Sequence, residues 1–134
     1  MTTQIPEPTI VRRDRSITYE WRLATEPSTH GTVTHMAVLR ITHFGAAQYV
    51  GRPSRVYIAT LSIEDETREP GRLPMRSFKL YATPTVEIAR HDAPRFSSKR
   101  LEQLARDAYA RVQELLAAGD PDVTALFTAE GEPC

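Results

Sequence analysis

Three of the four histidines fall within residues 30–44, HGTVTHMAVLRITHF: His30, His35 and His43. Imidazole is the commonest side-chain metal ligand and a ready general base near neutral pH. The spacing argues against a shared ion. If 32–44 is a strand, His35 and His43 have the same parity, but eight residues at the rise of a strand separate them by about 26 Å. Ligand nitrogens must lie within about 2 Å of one centre. His30 sits in the preceding turn, and His91, in ARHDAPR, is expected in a loop before a helix. No HExxH or CxxC pattern is present, so neither metal nor cofactor is expected. The single cysteine, Cys134, ends the chain and has no disulfide partner within it.

Other chemistry-bearing patterns are equally sparse. EDETRE, 64–69, gathers four acids, but without the alternate-position ligands and central glycine of a calcium loop. It reads as a solvated hairpin tip within a Pro/Gly-punctuated loop, 64–74. GxSxG, P-loop and GxGxxG motifs are absent, and no catalytic residue is assigned.

The elements that would position any site are clear. Ile17, Tyr19, Trp21 and Leu23 alternate with Thr18, Glu20 and Arg22, which predicts a half-buried strand over 17–23. Strands follow over 32–44, 55–63 and 75–82, with a short edge strand possible over 85–90. Then the period changes. Ser97 is a good N-cap, Phe96 can staple onto Leu101, and Leu101, Leu104, Ala105, Ala108, Val112, Leu115 and Leu116 form one helical stripe. Gly119 supplies the left-handed terminator, and Asp120-Pro121 opens a short second helix. This order predicts an α+β fold: a four- to five-stranded antiparallel meander sheet, with the long C-terminal helix on one face and a short terminal helix. The expected organisation is an extended arm over 1–14, one domain over 15–128 and a frayed tail over 129–134.

The second and third strands are apolar on both parities, whereas a sheet with one face in water should alternate. One long helix covers one face. The other needs the arm, the 45–54 connector or a second copy of the protein. A homodimer through the sheet is the preferred solution, and Met36, Val38, Val56 and Ile58 are the candidate dimer or partner face.

Composition sets further bounds. Apolar residues are 40% and charged residues 25%, ordinary for a globular domain. Seventeen basic residues balance seventeen acidic ones, so no net field favours nucleic acid or an anionic membrane. Charge is uneven, however: residues 1–62 carry +3 and residues 101–134 carry −5. Fifteen of the basic residues are Arg, which suggests a high-GC bacterium or its phage as the source. With no apolar leader and no run of about 20 apolar residues, a soluble, cytoplasmic protein without a membrane partner is expected.

The leading reading is therefore a small non-enzymatic interaction or regulatory protein that binds a protein partner. The alternative is single-stranded nucleic-acid binding. The strand-strand-strand-strand-helix order is similar to that of a family of dimeric single-strand-binding coactivators, a likeness of element order alone. That likeness implies aromatic and cationic side chains on strands as the binding groups: Arg55, Tyr57, Lys79 and Tyr81. Tyr19 and Trp21 share a face with Ile17 and Leu23, so the pattern places them in the core. A second alternative is an enzyme whose site assembles only in space.

Overall fold

In the computed structural model, residues 5–44, 55–78, 85–93 and 95–128 are described. The element order is β1 (Thr9–Arg12), β2 (Ser16–Pro27), β3 (Thr32–Phe44), β4 (Val56–Arg68), β5 (Met75–Phe78), β6 (Val86–Asp92), α1 (Ser98–Ala118) and α2 (Pro121–Thr128). The strands form one antiparallel sheet in the order β1-β2-β3-β4, with β5 and β6 sharing the far edge of β4. The register places β5 against Glu64–Thr67 and β6 against Val56–Leu61. The expected α+β architecture is thus present, with two departures. Residues 9–12 of the expected arm add a strand to β2. The expected loop at 64–74 is β4 as far as Arg68.

One face of the sheet carries the core. Ile17, Tyr19 and Trp21 of β2, Ala37, Leu39 and Ile41 of β3, and Tyr57, Ala59, Leu61 and Ile63 of β4 pack against Leu101, Ala105, Ala108 and Val112 of α1. Leu104, Leu115 and Leu116 flank that stripe as partly buried residues. Tyr109 of α1 lies over both Tyr19 and Trp21, with ring centroids 4.8 and 5.9 Å apart, and Phe127 of α2 meets Trp21 edge-on at 5.0 Å. These offset and edge geometries are the ones aromatic quadrupoles favour. Leu80, in the strand expected over 75–82, lies outside the described residues.

The helix ends follow the sequence signals. Ser97 Oγ accepts from the Arg100 amide, and Gly119, at φ 74°, lets its own amide reach the Leu115 and Leu116 carbonyls. Asp120 Oδ2 accepts from the Val123 amide and opens α2. The buried Tyr57 hydroxyl also ties α1 to the sheet, accepting from the Ser97 amide at 2.9 Å and donating to the Ser97 carbonyl at 3.2 Å.

Candidate functional site

The sheet face opposite α1 holds the largest concentration of interacting charge among the described residues. Thr18, Glu20 and Arg22 of β2, Met36, Val38 and Arg40 of β3, and Ser62, Glu64 and Glu66 of β4 share that face by register. Arg76 of β5 stands opposite Glu66. Its guanidinium donates to Glu20 at 2.9 Å, to Glu64 at 3.1 Å and to Glu66 at 3.1 Å. Because Glu20 is on β2 and the other two are on β4, this planar fork lies over β3 between them. Arg22 and Arg68 also bind Glu66, at 2.8 and 3.1 Å, and Arg40 binds Glu64 at 3.0 Å. Three buried glutamates thus meet four arginines.

The electrostatics follow from that geometry. Burial pushes the Glu66 carboxyl up, but hydrogen bonds from Arg22, Arg76 and Arg68 outweigh it and bring the pKa down to about 2. Burial works against the Arg76 charge as well, yet its hydrogen bonds to Glu20 and Glu66 hold its pKa above the usual arginine value. Arginine suits this position because its five donors lie in a fixed plane and satisfy several carboxylate oxygens at once.

This cluster accounts for two of the apolar residues on the second face. Met36 and Val38 are 0% exposed in the single chain, and their burial does not require a second copy, because Arg76 and its glutamates close over this part of β3. Val56, 4% exposed, lies at the other end of β4, across from Phe44 and away from the cluster. Ile58 is half-buried. Thus Met36, Val38 and Val56, expected at a dimer or partner face, present no open surface.

The cluster also holds a projecting tip. Arg76 pins β5 to β2 and β4, and the chain just before it forms the turn Glu69-Pro70-Gly71-Arg72. The Arg72 amide donates to the Glu69 carbonyl at 3.1 Å, and Gly71 has φ 77°. Proline followed by a positive-φ glycine is type II turn chemistry. The neighbouring β2–β3 turn leans against the same place, since a Cβ on Gly31 would lie 1.9 Å from the Arg68 carbonyl oxygen. On this braced tip Leu73 is 86% exposed and Met75 68%.

The histidines are dispersed. His30 is exposed in the β2–β3 turn. His35 Nε2 faces Glu26 Oε2 at 2.5 Å and its Nδ1 faces Asp65 Oδ1 at 2.9 Å, so the two carboxylates sit on opposite ring nitrogens. A register shift in β2 between Arg22 and Ala24 brings Glu26 to the His35 side of the sheet. His43 is buried beside Tyr57 and Phe96, with Nε2 donating to the Ala93 carbonyl at 3.1 Å. His91 lies in β6 rather than in a loop, 2.6 Å from an Arg100 nitrogen. Among the described residues no three His, Cys, Asp or Glu side chains gather as a metal-binding group.

The residues expected to bind nucleic acid are not brought together as a platform. Arg55 is exposed at the start of β4, but Tyr57 is buried with its hydroxyl committed to Ser97, so its ring offers no stacking face. Lys79 and Tyr81 lie outside the described residues. An apolar cleft of about 90 Å³ between β6 and α1 is floored by Ile41, Ala59, Leu104 and Ala108. Small-molecule sites usually occupy at least about 300 Å³.

Sequence reasoning missed the glutamate–arginine cluster and the tip it braces. A signal was present: Ser62, Glu64 and Glu66 continue the period-2 parity of β4, but four acids in six residues suggested a loop. No family model, no curated protein and no solved structure matches this chain.

Proposed function

We propose that the protein is a non-enzymatic binding module that presents the β4–β5 tip to a protein partner. The observation that carries this reading is the exposure of Leu73 and Met75, two residues apart where the chain leaves the Pro-Gly turn and enters β5. Large apolar side chains held on a rigid support lose little freedom on docking, and such anchors dominate interface energetics when they enter a pocket. Beside the tip, Arg68 pairs with Glu66 at 3.1 Å and Arg72 with Glu69 at 3.7 Å, so the local charge is largely compensated. The complementary surface is an apolar pocket. The arginine-rich composition fits a phage or high-GC bacterial source, and a cytoplasmic setting belongs to the same reading.

The test places a photo-crosslinking amino acid at position 73 and illuminates the protein in a source lysate. A discrete adduct is expected, together with its loss when Met75→Asp is added and its absence when the probe sits at exposed Gln113 on α1. Leu73→Asp alone should leave the thermal melt unchanged, because that side chain packs on little. No adduct from position 73, or equal adducts from 73 and 113, would refute the reading. An adduct of twice the 15.1 kDa chain would identify the partner as a second copy, the homodimer expected from sequence but formed through the tip.

A further inference from the structure

The opposite end of the sheet, where α1 begins, collects positive charge from three separate segments: the β1–β2 turn, the residue before β4, and the stretch from β6 into α1. Arg13 and Arg15 lie in the β1–β2 turn, and the Arg15 carbonyl accepts from the His43 amide at the end of β3 at 3.0 Å. The Arg55 carbonyl accepts from Ala93 just beyond β6, also at 3.0 Å. The Arg15 guanidinium carbon stands 5.4 Å from the centroid of the Phe96 ring, which immediately precedes the N-cap of α1. Arg95, Lys99 and Arg100 complete the rim, and the first turn of α1 contains no acid. Only Asp14 and Asp92 are exposed acids in these segments. Among the described residues, Arg13, Arg95 and Lys99 are exposed and take part in no ion pair, unlike Arg12, which is held by Glu102 at 2.8 Å.

Several cations around a helix N-terminus would repel one another, and the positive end of the helix dipole adds to the repulsion. Each cation in the first turn of α1 carries a small electrostatic cost at low salt, a cost that a bound anion would offset. Phosphate groups suit such a position, since cations and helix N-termini both stabilise them. A second feature narrows the anion. Phe44 ends β3 at this same end of the sheet, on the face opposite α1, and is 49% exposed. It stands directly across from Val56, the residue after Arg55. A chain whose phosphates follow the arginine rim and whose unpaired bases turn over the strand ends would meet that ring.

We infer that this end of the sheet is a binding surface for single-stranded nucleic acid, with Arg13, Arg15, Arg95 and Lys99 contacting phosphates and Phe44 stacking a base. Neither Tyr57 nor any residue outside the described segments is needed. The surface is independent of the Leu73–Met75 tip, and together the two ends give the protein the form of an adaptor.

Fluorescence anisotropy with labelled dT20 tests the inference on the full chain. Binding should tighten as salt is lowered, with a non-specific dissociation constant in the range of about 1–100 µM at physiological salt. The triple substitution Arg13→Glu, Arg95→Glu, Lys99→Glu should weaken it at least about tenfold at the same salt and flatten the salt slope. Arg72→Glu at the other end should leave it unchanged. Phe44→Ala should weaken dT20 about tenfold while leaving inorganic polyphosphate unaffected, because only a base can stack. Circular dichroism confirms that each variant is folded. No dT20 binding at about 50 mM salt, or equal binding by wild type and the triple variant, would overturn the inference. A 20-base-pair duplex, polyphosphate or a poly-glutamate peptide binding as tightly as dT20, with no effect of Phe44→Ala, would overturn the single-strand assignment.

Discussion

Arg76 is the side chain on which most of the second sheet face depends. It is about one-third exposed, whereas the carboxylates it meets are almost wholly enclosed. Replacing it with Met preserves much of the stem but leaves Glu20, Glu64 and Glu66 with fewer donors. Removing one partner of a buried ion pair typically costs about 3–5 kcal/mol, much of it the penalty on the charge left behind. Arg76→Met should therefore lower the urea midpoint sharply, and Arg22→Met less so, because Arg22 is more exposed and its main partner, Glu66, retains two other arginines. Equal midpoints for the two variants would show that the load is not carried as the geometry indicates. Little of this was legible in sequence. A glutamate two residues from another glutamate reads as solvated surface, and only the arginines arriving from β2, β3 and β5 make it an interior feature.

At the scale of elements, the alternating β2 pattern and the capped stripe of α1 were readable because each follows from local geometry. Trp21 and Leu101 enter the core as their periods require, and Gly119 ends the helix where its φ permits. The β4 boundary was not readable, because the strand continues through residues whose cover comes from elsewhere in the chain. Nor was the split edge of β4 apparent, since the pairing of β6 with Val56–Leu61 is a long-range choice. Tyr57 shows how the helix is then fixed to the sheet. Its hydroxyl is both acceptor and donor to Ser97, so Tyr57→Phe leaves the Ser97 amide without that partner. The expected cost is about 1–2 kcal/mol. Hydrogen exchange should show faster protection loss in the first turn of α1 than in its centre, and uniform loss along α1 would contradict the docking role.

For the whole molecule, the two faces of the sheet are closed by different means, one by helices and aromatic packing and the other by charge. On the reading proposed above, that division leaves the two ends of the sheet for partners: an apolar tip at one, a basic rim at the other. The neutral net charge of the chain conceals this separation, because Glu20, Glu64 and Glu66 are buried in the sheet while Arg13, Arg95 and Lys99 of the rim are exposed. Ionised Glu66 and its arginines hold this part of the second face shut and the tip in place. The folded-state pKa of Glu66, about 2, lies below its ordinary value of 4.5, so its contribution is complete above pH 4.5 and is lost as pH falls toward 2. Comparing urea unfolding of the wild type and Glu66→Gln between pH 7 and pH 2 tests this directly. At pH 7 the wild type should be more stable by on the order of 2 kcal/mol, and the two curves should converge as the glutamate is protonated. A difference that stays constant across that range, or no difference at pH 7, would contradict the account.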